Sequence, residues 1–175
     1  MKKLNIGSND VVLSGWVNID IQNCADVCAD VRKGIPFGTN TVDFIFSEHF
    51  IEHLDFGEGT NFFKECYRVL IPGGMVRTAT VDLDYVIEKY RSDWRNQTWM
   101  CHPAYGYIKT PGMMINVVFR SWGHLFVYNG EDLALQLSAS GFRNIRRCQF
   151  KESSCSELSN LELRPDSKLI IEATK

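Results

Sequence analysis

Carboxylates and histidines follow several short apolar runs of the chain, at points where a strand would end. The polar groups in question are Gly7-Ser8-Asn9-Asp10, Asp20-Ile21, Asp30-Val31, Ser47-Glu48-His49 and Thr80-Val81-Asp82. Carboxylates recur in these groups, and none of them contains Lys or Arg. Such a set repels phosphates and suits a ligand that presents hydroxyl groups together with a positive charge.

The elements that must position these groups alternate between strand-like and helix-like patterns. We predict strands at residues 4–7, 16–20, 42–47, 75–81, 143–150 and 168–174, and a weaker one at 25–28. We predict helices at 59–70, stopped by Pro72-Gly73-Gly74, at 82–94, and at 131–140, which ends at Gly141. This alternation predicts a single α/β domain with a mostly parallel sheet, whose ligands bind beyond the carboxyl ends of the strands.

Composition narrows the classes of function. The chain has 175 residues, 45% of them hydrophobic, and a net charge of −2, which gives no general attraction to nucleic acids or acidic membranes. The one basic cluster, Arg143, Arg146, Arg147 and Lys151, is interpreted as a solvated strand edge. No apolar stretch has the length of a signal peptide or membrane span, so we expect a soluble, cytoplasmic protein with reduced, mostly buried cysteines.

Five motifs occur in an order that is typical of one enzyme family. The chain resembles the class I S-adenosylmethionine (SAM) dependent methyltransferases, in particular a small bacterial branch with an LN(I/L)G…GW.N.D opening. The matching segments are Leu4-Asn5-Ile6-Gly7, Gly15-Trp16-Val17-Asn18-Ile19-Asp20, Ala29-Asp30-Val31 with Ile35-Pro36-Phe37, Val42-Asp43-Phe44-Ile45 with Glu52-His53-Leu54, and residues 65–74. Residues His124, Tyr128, Leu133 and Gly141-Phe142 extend the resemblance over most of the chain outside 84–123.

The resemblance implies a Rossmann-like methyltransferase fold with SAM as cofactor and S-adenosylhomocysteine as product. It places Gly7 and its neighbours at the methionine part of SAM, Asp20 at the ribose hydroxyls, Asp30 and Val31 at the adenine, and Ser47 and Glu48 near the sulfonium. The full set of cofactor-binding residues implied in this way is Asn5, Ile6, Gly7, Ser8, Asn9, Asp20, Ile21, Asp30, Val31, Ser47 and Glu48.

The methyl acceptor is predicted to be a small molecule or a glycan or lipid precursor. Residues 95–123 form an irregular, aromatic-rich insertion, which we interpret as the acceptor pocket or lid, with walls made by Trp99, Tyr105, Tyr107 and Trp122. If the acceptor is a hydroxyl or an amine, a base is useful. The candidates are Glu48, His53 and Asp82, and above all His49 and His124.

Three other functions compete with this one. His49-Phe50-Ile51-Glu52-His53 matches HxxEH, the inverted zinc-protease motif, but the match falls between a strand and a loop, so we predict no metal ligands. A nicotinamide-dependent oxidoreductase needs a GxGxxG turn that leads into a helix, which residues 7–15 lack. A module that binds SAM or a protein partner without catalysis stays open.

The links between the first predicted strands are short. Parallel strands usually need a crossover of a dozen or more residues, but only eight separate Gly7 from Trp16. We therefore predict that the first helices are shortened or absent. The sheet face near the first three strands then needs another cover, either residues 95–123 or the second subunit of a homodimer.

Overall fold

A seven-stranded sheet organises the part of the chain that the computed structural model describes, residues 1–22 and 25–175. The strands are β1 (Lys3–Ile6), β2 (Val17–Asp20), β3 (Val27–Cys28), β4 (Val42–Glu48), β5 (Leu70–Thr80), β6 (Arg143–Arg147) and β7 (Leu169–Thr174). The α-helices are α1 (Phe56–Val69), α2 (Leu83–Arg91), α3 (Pro111–Arg120) and α4 (Gly130–Ala139).

The strand order is β3-β2-β1-β4-β5-β7-β6. Strands β1 to β5 pair in parallel, whereas β7 is antiparallel to both of its neighbours, β5 and β6. This arrangement confirms the predicted single α/β domain with a mostly parallel sheet. Because β7 runs backwards, the loop that enters it lies at the same edge as the carboxyl ends of β4 and β5.

The predicted shortening of the first helices is confirmed. Before Asp55, the described residues contain only two short 3-10 helices, Val31–Lys33 and Ile51–His53. Residues 7–16 form turns that are held by a buried amide pair. Asn5 Nδ2 donates to the Val11 carbonyl and to Asn18 Oδ1, at 3.0 and 2.9 Å. Polar side chains on β1 and β2 thus replace a helix by fixing the loop against the sheet.

One face of the sheet packs against α1 and α4. Helix α1 begins at a capping box, in which the Asp55 side chain accepts from the Glu58 N–H while the Glu58 side chain accepts from the Asp55 N–H. Its apolar stripe meets the alternate residues of β1, β4 and β7 that point to this side. These buried residues form the largest core cluster: Leu4, Ile6, Ile45, Phe62, Phe63, Cys66, Val69, Leu133, Leu137, Leu169 and Ile171.

The opposite face is covered by the chain's own residues 148–162. Leu158 and Leu161 pack against Phe46 of β4 and Ile170 of β7 in a second buried cluster. Residues 95–123 pack against α2 instead, so the prediction that they would cover a face of the sheet is wrong. The alternative cover, a second subunit over the face near the first three strands, stays a prediction. The sequence did not predict this role, because residues 148–162 show no helical periodicity. In the structure their one regular element is the 3-10 turn Ser156–Leu158.

A buried ion cluster fastens this covering segment. Arg77 on β5 is fully buried and pairs with Glu162 of the segment and with Glu172 of β7, whose Oε1 lies 2.6 Å from Nη1. Its guanidinium also donates to the carbonyls of Gln149 and Glu152, at 3.2 and 3.0 Å. Because the charge and its donors are satisfied together, the segment is fixed at both of its ends.

The region predicted to be irregular contains helix α3. Thr110 caps it by accepting from the Met113 N–H at 3.1 Å, and Pro111 occupies its first turn. Met114, Val117 and Val118 are buried at helical spacing against Val86 of α2. The expectation of an aperiodic segment over 95–123 is thus wrong for 111–120, because proline, glycine and β-branched residues disguised the helix.

Two smaller expectations also change. The chain is already extended at Leu70, and the pairing of β4 with β5 slips between Val42 and Phe44, so Pro72-Gly73-Gly74 lie in an irregular part of β5 and do not stop a helix. Only Cys66 of the described cysteines is fully buried, so their predicted burial is mostly wrong; Cys24 lies outside the described residues. Among the described helices, none has the length and apolar character that crossing a bilayer requires.

We expect Arg77→Met to lower the free energy of unfolding by about 3–5 kcal/mol, because it leaves Glu162 and Glu172 buried without their central cation. Urea unfolding followed by circular dichroism measures this loss, with Arg91→Met on the exposed side of α2 as the matched control. A loss for Arg77→Met no larger than that of the control would contradict the role given to the cluster.

Candidate functional site

A single cavity of about 890 Å³ opens beyond the carboxyl ends of β1, β2, β4 and β5. It brings together ten of the predicted cofactor-binding residues and candidate bases: Gly7, Asn9, Asp20, Ile21, Asp30, Val31, His49, His53, Asp82 and His124. Aromatic residues from 97–124 line the other end. The site predicted at the strand ends and the aromatic segment therefore form two halves of one space.

At the first half, the turn after β1 closes on β2. Gly7 has φ +71°, and both its N–H and that of Ser8 donate to the Ile19 carbonyl, at 2.9 and 3.2 Å. A Cβ on Gly7 would lie 2.4 Å from the Phe50 ring, so only glycine fits here. Asn9 follows with φ +46°, a left-handed conformation that asparagine tolerates.

Asp20 holds this turn from the end of β2. Its Oδ2 accepts from the Asn9 N–H at 2.8 Å, and its Oδ1 accepts from the Gln22 N–H at 3.1 Å. Each oxygen of an ionised carboxylate has a second lone pair, so two hydroxyl donors from a ligand can still be bound. The position fits the predicted contact with a ribose diol.

On the side predicted to bind adenine, the carboxylate is already paired and the apolar side chains line the cavity. Asp30 caps the 3-10 helix Val31–Lys33, and its two oxygens accept from the Arg32 guanidinium at 2.8 and 2.9 Å. The hydrogen bonds and charge of Arg32 lower the pKa of the Asp30 carboxyl. This side chain is thus committed to Arg32. The exposed side chain of Ile21 and the buried one of Val31 supply apolar surface at the cavity wall.

The remaining five predicted cofactor residues do not line the cavity, and the structure gives most of them other contacts. Asn5 fixes the loop after β1, as described, and Ile6 belongs to the core. Ser8 is buried, and Ser47 Oγ donates to Thr78 Oγ1 on β5 at 3.2 Å. Glu48 is buried beneath the loop that enters β7.

That loop, residues 163–168, forms a wall of the cavity that sequence reasoning missed. Glu48 holds it: its carboxylate accepts from the N–H groups of Leu163 and Arg164, at 3.1 and 3.0 Å, and from Ser167 Oγ at 2.7 Å. The only signal in the sequence was the turn-like Arg164-Pro165-Asp166 before a predicted strand. Its place at the site depends on β7 being antiparallel.

At the end of β4, His49 makes a sharp turn. Its φ of +49° lies in the left-handed region, which is uncommon for histidine, and its N–H donates to the Ala79 carbonyl of β5 at 2.9 Å. The turn directs its ring toward Glu52, where Nδ1 lies 2.9 Å from Oε1. Nε2 is buried and has no hydrogen-bond partner within the described residues.

Glu52 is a candidate site residue that the sequence pointed to only through the zinc motif and the family resemblance, without a role in the site. Its side chain is fully buried in the 3-10 helix Ile51–His53. Burial raises the pKa of this carboxyl, but the contact and charge of His49 outweigh it, and the net result is a pKa of about 2. The carboxylate facing Nδ1 of His49 keeps a proton on that nitrogen, so in the neutral form of the ring the lone pair is on Nε2.

His124 approaches from the loop after α3. Its Nδ1 lies 2.7 Å from the Val118 carbonyl, which can only accept, so Nδ1 carries the proton. Burial lowers the pKa of this ring and favours the neutral form. The ring packs edge-on against His53, with centroids 5.2 Å apart.

The aromatic half is built by rings that contact one another edge-on. Trp99 lies 5.1 Å from both Tyr105 and Trp122, measured between ring centroids, and Trp122 Nε1 donates to the Tyr105 hydroxyl at 2.9 Å. Of the four predicted aromatic walls, these three line the cavity. Tyr107 does not line it, and its side chain is 54% exposed.

Comparisons with known proteins bear directly on this architecture. Residues 12–78 match the family described as methyltransferase domain. No curated protein matches the chain significantly. A SAM-dependent methyltransferase from Methanosarcina mazei has a TM-score of 0.62 at 15% identity, over 99% of this chain and 92% of that one. Those from Archaeoglobus fulgidus and Thermotoga maritima have TM-scores of 0.59 and 0.58, both at 16% identity over 99% of this chain and 86% and 82% of theirs.

Residues 12–78 match a methyltransferase domain, and the whole described chain has the fold of SAM-dependent methyltransferases. S-adenosylmethionine stays the predicted cofactor. The geometry of the methyltransferase domain suits this cofactor, because no α-helix N-terminus follows β1 or β2 in the described residues to bind a pyrophosphate, whereas Asp20 presents a carboxylate where hydroxyl donors are expected. Membership of the narrower bacterial branch stays a prediction.

The zinc-protease interpretation of HxxEH fails in the methyltransferase domain. That motif requires His49 and His53 one turn apart on a single α-helix. Here His49 is left-handed at the end of β4, and only Ile51–His53 form a 3-10 turn. The two histidines therefore do not share a helical face.

We expect Glu48→Gln to destabilise the loop 163–168. The carboxylate accepts hydrogen bonds from three donors, whereas an amide has one acceptor oxygen. Amide hydrogen exchange of Leu163 and Arg164, read by NMR, should accelerate about tenfold or more. Glu157→Gln, which removes a more exposed partner of Lys3, is the control. Unchanged exchange at both amides would show that the loop is held by other contacts.

Proposed function

We propose that this methyltransferase transfers the methyl group of SAM to a small acceptor, such as a metabolite or a glycan or lipid precursor, bound in the aromatic half of the cavity. The observation that carries the proposal is the continuity of one cavity between Asp20 and the aromatic rings of Trp99, Tyr105 and Trp122. Its volume lies within the range of about 300–1,000 Å³ that small-molecule sites occupy. Such a space accepts a cofactor with a small acceptor or one arm of a larger precursor.

In the cofactor half, Gly7, Asn9, Asp20, Ile21 and Val31 are the residues we assign to SAM. The Asp20 carboxylate accepts hydrogen bonds from the ribose hydroxyls, and the apolar side chains of Ile21 and Val31 pack against the adenine. Asp30 serves indirectly, since its pair with Arg32 fixes the 3-10 turn from which Val31 projects. The other predicted cofactor residues do not line the cavity and belong to the elements around it: Asn5, Ile6, Ser8, Ser47 and Glu48.

In the acceptor half, bound SAM supplies a methyl group on a positively charged sulfur. The residues of this chain align the acceptor and exclude water, which accounts for much of the rate in a direct displacement. An acceptor held there would take the methyl carbon, and the carbon–sulfur bond pair would stay with sulfur. A hydroxyl or amine acceptor releases one proton in the net reaction.

His49 is the residue we assign to acceptor orientation. Its Nε2 is a buried acceptor without a partner in the described residues, and its ring lines the cavity. A hydrogen bond from an O–H or N–H group of the acceptor would satisfy this nitrogen and direct the reacting lone pair toward the methyl group. The other predicted histidine, His124, also lines this cavity.

We expect Asp20→Asn to weaken SAM and S-adenosylhomocysteine binding about tenfold or more, because hydrogen bonds to a charged group contribute about 1.5–3 kcal/mol. Calorimetric titration measures both affinities, with NAD as a ligand that should not bind. The exposed Asp10→Asn, in the same loop, is the matched control. Equal affinities in the two variants would remove Asp20 from the cofactor site.

We expect His49→Asn to lower kcat/KM for the acceptor roughly 2–10-fold while leaving SAM affinity unchanged, because one hydrogen bond to the acceptor is lost. Asparagine is chosen because it tolerates the left-handed backbone at this position. Turnover is measured with labelled SAM on an acceptor found by screening for methylated products. His102→Asn is the control, and an unaltered kcat/KM for His49→Asn would exclude its contact with the acceptor.

A further inference from the structure

The HxxEH segment is the one sequence motif that methyl transfer leaves unexplained. As an isolated pattern it gave no reason to expect a metal, and its protease geometry is absent. The fold nevertheless regroups part of it with a residue that lies about 70 positions further along the chain. Glu52, His53 and His124 each offer one ligand atom, and all three atoms lie within 4.8 Å of one another.

Backbone hydrogen bonds hold this regrouping in place. The N–H groups of Leu125 and Phe126 both donate to the Glu52 carbonyl, at 2.8 and 3.2 Å. They fasten the segment after α3 against the turn Ile51–His53, so that His124 lies beside His53. The cluster is therefore part of the rigid frame of the cavity, at its acceptor half.

The donor atoms have the chemistry that a metal site needs. The proton on His124 Nδ1 is committed to the Val118 carbonyl, which leaves Nε2 as a ligand and fixes the ring orientation, as is common for metal-binding histidines. Glu52 is fully buried, and neither of its carboxylate oxygens has a donor with hydrogen-bond geometry in the described residues. His49 Nδ1 lies close to one of them. A buried carboxylate so poorly supplied with donors is costly unless a cation balances it.

We propose that Glu52, His53 and His124 bind one divalent transition metal ion, of which zinc is the simplest candidate. Two imidazole nitrogens and one carboxylate match the ligand preference of zinc, and magnesium and calcium are disfavoured because they take oxygen ligands. Ligand atoms around tetrahedral zinc lie about 3.3–3.5 Å apart, given bond lengths near 2.1 Å. The three side chains thus close by on the order of 1 Å when the ion binds.

The fourth coordination position faces the cavity, because His53 and His124 both line it. Three protein ligands with one open position are typical of sites that bind water or a substrate atom. His49, in contact with the Glu52 carboxylate, would steady that ligand from behind. The proposal concerns metal binding alone and holds whether or not SAM or an acceptor is present.

The test is a zinc titration of tag-free, chelator-treated full-length protein in competition with a chromophoric chelator. We expect one ion per chain, with a Kd in the micromolar range or tighter. His53→Asn and His124→Asn should each weaken binding by more than about 100-fold, since loss of a ligand costs more than the 10–100-fold typical of an outer partner. His102→Asn, outside the cluster, should bind as the wild type does.

Cobalt substitution gives a second readout that does not depend on affinity. Co²⁺ in the wild-type protein should show the intense visible absorption of a four-coordinate ion, and the two histidine variants should lose it. Thermal unfolding of each variant verifies that it is folded, and Glu52→Gln provides a third variant if one histidine variant is not. Absence of stoichiometric zinc, or equal binding by the wild type and both folded histidine variants, would overturn the proposal.

Discussion

The buried guanidinium of Arg77 is the interaction on which the architecture depends. A mostly parallel sheet has both faces covered, and within residues 1–22 and 25–175 no α-helix packs on the face of Phe46 and Ile170. Residues 148–162 cover it instead, as an almost irregular segment whose apolar side chains are few. Pairing Arg77 with Glu162 and Glu172, together with two backbone carbonyls, supplies the specific contacts that such a segment lacks.

The consequences of this cluster extend to the site. Immediately after Glu162 the chain enters the loop 163–168, which Glu48 fixes by three donors and which lines the cavity. Two buried charged residues on neighbouring strands, Arg77 of β5 and Glu48 of β4, thus hold a continuous stretch of chain in place. The methyltransferase domain has a defined cavity wall because buried charges on strands fasten a segment without regular structure.

Polar side chains on strands also hold the turn in the predicted cofactor half of the cavity. With only a short link between β1 and β2, the turn at Gly7 is stabilised by the Asn5–Asn18 amide pair and by the Asp20 carboxylate, in place of a helix N-terminus. A phosphate-bearing cofactor would find no helix dipole here. SAM needs none, which is why a methyltransferase domain tolerates this shortening where a dinucleotide-binding domain would not.

From the sequence alone, the periodic patterns determined the element types, the α/β class and the strand ends where Gly7, Asp20, His49 and their neighbours lie, because local periodicity reports which face of each element is buried. The motifs, taken in order, also determined the resemblance to methyltransferases. Only the tertiary structure decided that 148–162 packs against β4 and β7, that Glu48 binds the loop 163–168, and that His124 joins Glu52 and His53. These are contacts between residues far apart in the chain, and no local pattern encodes a pairing that depends on strand direction and on which segment fills a vacant face.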